Sequence, residues 1–542
     1  MLLFPGNDVE AKIKDYGEAL LEITEVTLPD DVKAKDYRVE EEEPYVEFSR
    51  DMKFLNMTLK DSIILALQNN YDIKIAKLDP MIKEKDVTVA KSEFDPKLKI
   101  EGKRDISEEP QSNTLLTGTI GVIQRLDESN ELNATIEKPL ETGAKFTFDF
   151  NLGIRQFLDP QTFQTLNPRS TSSIEAKITQ PLLKGAGIFY NRSKIYIARN
   201  DKKKSILQLK EKAIEVINSV QEAYWDLVMA IEELRVRNKS LESAEDLLRK
   251  NRIQVKVGTL APIEVLVAED GVAKKIDEII EAENDIKNRE DDLKLIMNLS
   301  NHSILSDAAI IPLDKASFTI TDVTFDESIK IALANRPELF EKGLDIENAR
   351  ITVKQTRNQL LPQLDIEAGI SYHGLAGDFG NALDSAFSEQ FQREFFGVTL
   401  EVPLGNREAR SNYSKAKLEA RKQILERSKQ EQVVVVEVRT AVREIKKNAE
   451  SIKATEKAQE LAQKRLEAEE KKYKVGRSTS LEVLRAQDNL TIAEGKAVKA
   501  LVDYQKSLGD LDAKMGTILE NNNIIIEDTG LVMEKELSSK ES

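Results

Sequence analysis

The sequence predicts an α+β fold in which long antiparallel α-helical hairpins are joined to pairs of amphipathic β-strands, with the whole unit present twice in one chain. Three observations carry this: an internal duplication, two very long stretches of coiled-coil rhythm, and short segments of strict two-residue alternation.

The duplication is read from two echoes. Thr58-Leu-Lys-Asp-Ser-Ile-Ile-Leu-Ala-Leu-Gln-Asn69 returns as Thr324-Phe-Asp-Glu-Ser-Ile-Lys-Ile-Ala-Leu-Ala-Asn335, at an offset of 266 residues that also carries Pro96, Leu98, Ile100 and Glu101 onto Pro362, Leu364, Ile366 and Glu367. Lys256-Val-Gly-Thr-Leu-Ala-Pro-Ile-Glu-Val-Leu-Val-Ala-Glu-Asp270 returns as Lys474-Val-Gly-Arg-Ser-Thr-Ser-Leu-Glu-Val-Leu-Arg-Ala-Gln-Asp488 at an offset of 218. Self-similarity of this kind marks a repeated structural unit. The offsets differ by 48, so the first copy holds about that many extra residues, in the strand-rich stretch after Pro96.

Helices account for most of each copy. Between 194 and 256, Ile206, Leu209, Ala213, Val216, Val220, Tyr224, Leu227, Ile231 and Leu234 recur at alternating steps of three and four, the seam of a coiled coil. Val438, Val442, Ile445, Ala449 and Ile452 keep the same rhythm within 408–474. A narrow stripe flanked by charge describes a helix with neighbours along its sides and two wet faces. The single tryptophan, Trp225, reads as an anchor of that seam.

Gly258 and Gly476 stand where a helix C-terminus wants a left-handed residue. Pro262 suits the first position of the next helix, and Thr479-Ser-Leu-Glu482 is a capping-box pattern. Return helices are therefore expected over about 263–298 and 480–516. At about 1.5 Å per residue, 194–256 spans roughly 95 Å and 263–298 only about 54 Å. The expected helix 59–92, about 51 Å long, restores a full-length partner if it stacks end to end on the return helix.

The strands alternate. Phe146, Phe148, Phe150 and Leu152 interleave with Lys145, Thr147, Asp149 and Asn151; Ile174, Ala176 and Ile178 interleave with Glu175, Lys177 and Thr179. Leu364, Ile366, Ala368, Ile370 and Tyr372, and then Phe396, Val398, Leu400, Val402 and Leu404, repeat the pattern. Loops are expected at about 153–173 and 373–393, and further alternation at 114–136 has no assigned place. Four such strands cannot close a barrel, and lipid tolerates no open sheet edge. Closure requires several chains; three would supply twelve strands and twelve full-length rods.

Composition narrows the function. The 542 residues carry 79 Lys+Arg against 95 Asp+Glu, a formal charge of −16, which argues against nucleic acid as a partner. No cysteine is present, so disulfides, thiolate metal sites and cysteine nucleophiles are excluded together. His302 and His373, the only histidines, read as ordinary loop residues. No run of 18 apolar residues exists, which rules out a transmembrane helix and leaves a β-barrel open. Gly185-Ala-Gly187 lacks the rest of a dinucleotide fingerprint and no phosphate-binding loop occurs, so neither cofactor, metal nor catalytic site is expected. The opening MLLFPGNDVE lacks a basic n-region, so a presequence is expected to have been removed or to lie upstream.

Over about residues 57–518 the chain resembles the TolC family of bacterial outer-membrane efflux and secretion channels. The residues that carry the resemblance are the duplicated openers at Thr58 and Thr324, the corners Gln180-Pro-Leu-Leu-Lys-Gly185 and Val402-Pro-Leu-Gly-Asn-Arg407, the helical Ala223-Tyr-Trp-Asp-Leu227, and the two tips. The resemblance implies a homotrimer with a shared twelve-stranded barrel in the outer membrane and a helical periplasmic tunnel. It further implies a passive exit duct that meets a periplasmic adaptor at the tunnel tip, the adaptor linking it to an energised inner-membrane pump of RND, ABC or MFS type. The expected organisation is an acidic extension (1–56), a first repeat (57–300, strands about 98–183), a linker (301–322), a second repeat (323–518, strands about 363–404) and a tail (519–542).

Acidic side chains near the tips narrow the entrance in that family, which by position implies Glu264 and Glu482 as gate residues. Both also suit a helix N-terminus, so gate and cap stay open as readings. Arg485 stands where some members have a second acid, and a Glu482–Arg485 ion pair is expected in its place. Gly258, Thr259, Leu260, Ala261 and Pro262, with Gly476, Arg477, Ser478, Thr479 and Ser480, are the implied adaptor contacts. The competing expectation is a soluble coiled-coil scaffold or periplasmic adaptor with a small β domain.

Overall fold

The structure, a computed structural model, describes residues 54–111, 123–158, 165–299, 308–319, 321, 323–388, 391–527 and 530–533. The first half runs through β1 (Phe54–Met57), α1 (Leu59–Asn69), α2 (Tyr71–Lys91), β2 (Lys97–Gln111), β3 (Ile123–Pro139), β4 (Lys145–Phe157), β5 (Arg169–Pro181), the long helix α3 (Ser193–Lys256) and its return α4 (Ile263–Ile296). The second half follows with β6 (Ala309–Pro312), α5 (Phe325–Asn335), α6 (Pro337–Asn358), β7 (Gln363–Ala376), α7 (Phe379–Phe387), β8 (Gln392–Glu401), the long helix α8 (Arg407–Lys474) and its return α9 (Ser480–Met515). A short hairpin, β9 (Ile524–Glu527) and β10 (Gly530–Met533), lies in what reads from sequence as a tail.

The helix expected over 59–92 is two helices. Asn70 leaves helical geometry at ψ 130°, and its side chain accepts the backbone N–H groups of Asp72 and Ile73, capping α2. The second copy breaks at the same place for a different reason: Arg336 precedes Pro337, whose ring disfavours helical ψ in the residue before it. The break makes the end-to-end joint. Asn70 Nδ2 donates to the Ile296 carbonyl at 2.8 Å and Asn298 Nδ2 to the Asn69 carbonyl at 3.2 Å, so α2 continues where α4 stops and both lie along α3. In the second half Arg336 Nη1 donates to the Lys514 carbonyl at 3.3 Å, joining α6 to the end of α9 along α8.

The apolar stripes form the core. Leu209, Ala213, Val216, Val220, Tyr224 and Leu227 of α3 are buried, and Val438, Val442, Ile445 and Ile452 of α8 pack with Ala500, Tyr504 and Leu511 of α9. Each such aliphatic side chain contributes about 1.5–3 kcal/mol by leaving water. Trp225 is buried edge-on against Tyr224. Tyr224 Oη donates to Asp314 Oδ2 (2.9 Å) and reaches the Met57 carbonyl (3.1 Å), while Asp314 Oδ2 also accepts the Leu59 N–H (2.7 Å). Two connecting segments are thereby pinned to the long helix. They also pair directly: β1 and β6 form a parallel two-stranded sheet, which places Ala309–Pro312 of the expected linker and Phe54–Asn56 of the expected extension within the fold.

Six strands, not four, make the large sheet. Its order is β2-β3-β4-β5-β7-β8, antiparallel throughout, with the β5–β7 ladder joining the two halves. By the duplication, β2 begins as β7 does and β5 leads into its helix as β8 does. The 48 extra residues of the first copy therefore supply β3 and β4, and the expected four strands per chain are six. Residues 114–122 of the unplaced 114–136 segment lie outside the described residues; the rest is in β3. Strands extend into both expected loops, the second of which also holds α7, and His373 lies in β7 rather than in a loop. His302 falls outside the described residues.

Register keeps the alternation coherent across five strands, and nearer the helices Phe396, Val398 and Leu400 of β8 stand beside Ala368, Ile366 and Leu364 of β7. One row reads Leu98, Ile136, Phe148, Ala176, Ile370 and another Ile100, Ala134, Phe150, Ile174, Tyr372. Between them runs Lys99, Thr135, Asp149, Glu175, Ser371 on the opposite face. At the corner below, Asn358 Oδ1 accepts the Gly185 N–H at 2.7 Å and its Nδ2 donates to the Leu183 carbonyl at 3.2 Å, fixing the sheet to α6.

One carboxylate is buried among the helices. Glu341 of α6 faces Gln208, Glu211 and Lys204 of α3, with Glu338 on its own helix; burial first, then the charge of Glu211, pushes it up to about 7. A folded-state value above the unfolded one disfavours the ionised form, so the stability present below about pH 4.5 is lost as pH rises through 7. We expect the thermal midpoint to fall between pH 5 and 8, and Glu341→Gln to raise it at pH 8 and flatten that slope; an unchanged slope in calorimetry refutes the assignment.

Candidate functional site

The two turns at the far ends of the hairpins form one cluster. Each long helix stops at a glycine with positive φ, 76° at Gly258 and 70° at Gly476, a conformation a Cβ resists. The Gly258 N–H reaches the Val255 carbonyl and the Thr259 N–H that of Gln254; Gly476 and Arg477 do the same to Tyr473 and Lys472. These are closed helix ends in which the carbonyls of the last turn find partners within five residues. Pro262 sits one place earlier than expected, at the N-cap of α4 rather than inside its first turn.

Glu264 crosses between repeats. Its Oε2 accepts the Ser480 N–H at 2.9 Å, so the first tip supplies a carboxylate to the N-terminus of the second return helix, where the helix dipole favours a negative charge. Around this contact lies a hydrogen-bond network that the sequence reading missed. Asn251 Nδ2 donates to the Glu264 carbonyl (3.1 Å) and Ser480 Oγ (2.8 Å), and Tyr473 Oη donates to Asn251 Oδ1. Asn251 and Ser480 are fully buried, and burial together with the Glu264 charge pushes the Tyr473 phenol above its ordinary value. Asn251 sits on the inward face of a charged helix, and this polar residue in an apolar stripe position was the signal available.

Glu482 is arranged differently. Thr479 Oγ1 accepts the Glu482 N–H at 3.4 Å, but the carboxylate does not return to the Thr479 backbone, so the expected capping box is one-sided. The carboxylate instead takes Arg485 Nη1 at 2.7 Å on the exposed surface. The implied contact residues Thr259, Leu260 and Ala261, with Arg477, Ser478 and Thr479, occupy the two turns; Ser478 donates to Glu469. Above the turns, Lys275 of α4 pairs with Asp488 of α9 at 2.7 Å, and Val483, Leu484 and Leu490 pack against Ala244, Leu247 and Leu466. Four helices of two repeats thus converge on one tip, whose outer surface exposes Val257, Ile263, Leu266, Val475 and Leu481 beside its polar turns.

The remainder of the wall continues this design as far as a sheet with one apolar and one charged face. Among the described residues no helix is long and apolar enough to cross a membrane. The sequence profile of the outer membrane efflux protein family matches residues 159–299 and 328–517, more than half of the chain. The chain belongs to this family. The outer membrane protein TolC of Vibrio cholerae is 26% identical over 313 residues, covering 57% of this chain and 69% of its own. The outer membrane efflux protein BepC of Brucella suis is 23% identical over 458 residues, 82% of each chain. Among solved structures, the CmeC outer membrane channel of Campylobacter jejuni is similar with a TM-score of 0.59 at 18% identity, over 85% of this chain and 86% of that one. The MtrE outer membrane channel of Neisseria gonorrhoeae, in its open state, gives 0.59 at 17% identity over 85% and 89%. This outer membrane efflux protein is an outer-membrane exit duct, and the soluble-scaffold alternative is not favoured. Members of the family are channels rather than enzymes.

The tip network predicts a local effect. Asn251→Ala removes three hydrogen bonds at about 1 kcal/mol each, so amide exchange over 257–262 and 476–480 should rise tenfold or more while the global thermal midpoint moves little. Unchanged exchange at those amides would show that the network does not hold the tips together.

Proposed function

We propose that three copies of this efflux protein pool their sheets into one closed barrel in the outer membrane and their helices into a periplasmic tunnel. The observation that carries this reading is the apolar face of the six-stranded sheet. It runs from β2 to β8, is interrupted by the Arg104–Glu128 pair and covered by α7 at its far end on β5 and β7, and is otherwise largely exposed in the single chain, with Leu98 63% and Phe396 71% exposed. Among the described residues both edges of the sheet are unpaired, and lipid admits such a sheet only when other strands close it. A second feature supports rotation rather than face-to-face pairing. Ile75, Leu78, Ile82 and Val89 form an exposed stripe on α2, and Leu418, Leu425 and Val436 another on α8, both on the helical stretches next to the sheet. Two different patches that meet around a closing rotation make a ring.

Transport through such a tube needs no chemistry on the cargo. Polar faces line the sheet interior, and energy comes from a partner: a periplasmic adaptor at Gly258–Pro262 and Gly476–Ser480, coupled to an inner-membrane pump of RND, ABC or MFS type. At the tip, Glu264 acts as a clasp between the repeats, and three-fold symmetry turns the exposed Glu482–Arg485 pairs into a ring around the entrance. Removing the acid from such a ring lowers its attraction for cations. The decisive measurement is the mass of the detergent-extracted protein, expected at three times the 61.1 kDa chain, followed by conductance in a planar bilayer. A monomer that never conducts refutes the proposal. Glu482→Gln is expected to reduce cation preference in reversal potentials; unchanged selectivity leaves that residue only its place at the helix start.

A further inference from the structure

We infer that the barrel of this protein has eighteen strands rather than twelve and that its exit is correspondingly wide, suited to bulky solutes of the size of a small folded peptide. The inference rests on the three-copy reading above and deepens it. It turns on whether the additional hairpin β3–β4 belongs to the wall or hangs outside it, and the ladders decide this. β3 pairs with β2 along the whole of Lys97–Gln111 and with β4 along Asp127–Pro139, while β4 pairs on its other edge with β5 from Lys145 to Arg155. A four-stranded contribution would have to break two of these ladders.

The apolar face makes the same point. Phe146, Phe148, Phe150, Leu152 and Ile154 give β4 the most apolar outward row of the six strands, and Leu132, Ala134 and Ile136 of β3 stand beside three of them. On the other face β3 and β4 carry Asp127, Glu131, Asp149, Asn151 and Arg155, with Arg155 on Asp127 at 2.6 Å. A hairpin outside the barrel would gain nothing from one face of each kind; a hairpin in the wall needs both. Strand direction is also compatible. An even number of antiparallel strands leaves β2 and β8 running in opposite senses, so β8 of one copy can pair antiparallel with β2 of the next.

The width follows from geometry. With strands about 4.8 Å apart and tilted by about 40°, twelve strands give a backbone radius of about 12 Å and eighteen about 18 Å. Allowing about 5 Å of side chain on the inner wall leaves a lumen roughly 26 Å across instead of roughly 14 Å. Selection by size then rests with the helical tip, not with the exit.

The native chain has no cysteine, so engineered thiols report only themselves. Glu101→Cys on β2 with Thr399→Cys on β8, both facing the polar side, should be joined between chains by a bis-maleimide of about 8 Å, giving covalent dimers and trimers that neither single variant gives. Asn151→Cys on β4 with Thr399→Cys should not join chains. Electron cryomicroscopy of the unmodified protein in nanodiscs should count eighteen strands around one axis. A trimer with twelve strands, or one linked through Asn151→Cys and not through Glu101→Cys, overturns the inference and leaves the shared barrel standing. A monomer, with no linkage from either pair, overturns the three-copy reading itself.

Discussion

Every backbone N–H and C=O that enters lipid must find its partner within protein, and in the proposed assembly the rest of this molecule is arranged around that requirement. The sheet meets it only internally. Between β2 and β8 neighbouring strands pair along most of their length, while among the described residues the two outer strands keep one unpaired row each. The corner built on Asn358 hands the chain from sheet to helix with the carbonyl of Leu183 and the N–H of Gly185 still paired. From there on water is available, and the two-sided polar helices begin.

Length matching is the second constraint. A 64-residue helix beside a 34-residue return would leave half of its apolar stripe bare. The molecule fills the gap with a separate helix abutted on the return, and does so twice with different chemistry, an asparagine cap in one half and a proline break in the other. The same outcome from unlike residues identifies the joint itself, not either sequence, as the feature the packing demands.

Much of this was legible in the sequence because it is periodic. The stripes through Leu209 and Val438, the tip glycines and the alternation around Phe148 all report local geometry, and the structure places them in core, turn and sheet. What escaped was of two kinds. The strands β2 and β3 alternate poorly, since Arg104 and Glu128 stand on the otherwise apolar face and pair with each other at 2.8 Å; only register across the sheet reveals them. The tip network escaped because its members lie 222 and 229 residues apart in the chain, and a lone Asn251 or Tyr473 carries no signature of the partner it will meet. Glu264 shows the same limit: its position at a helix start was readable, but not that the helix it serves belongs to the other repeat.

The joint between α2 and α4 has a mechanical consequence. Beside the unbroken α3 lies a spliced strut, held at the splice by side-chain amides of Asn70 and Asn298 rather than by continuous peptide. Torque carried by α3 runs through unbroken peptide, whereas along its partner it must cross two side-chain hydrogen bonds, so the two struts of one hairpin differ in stiffness at a single level.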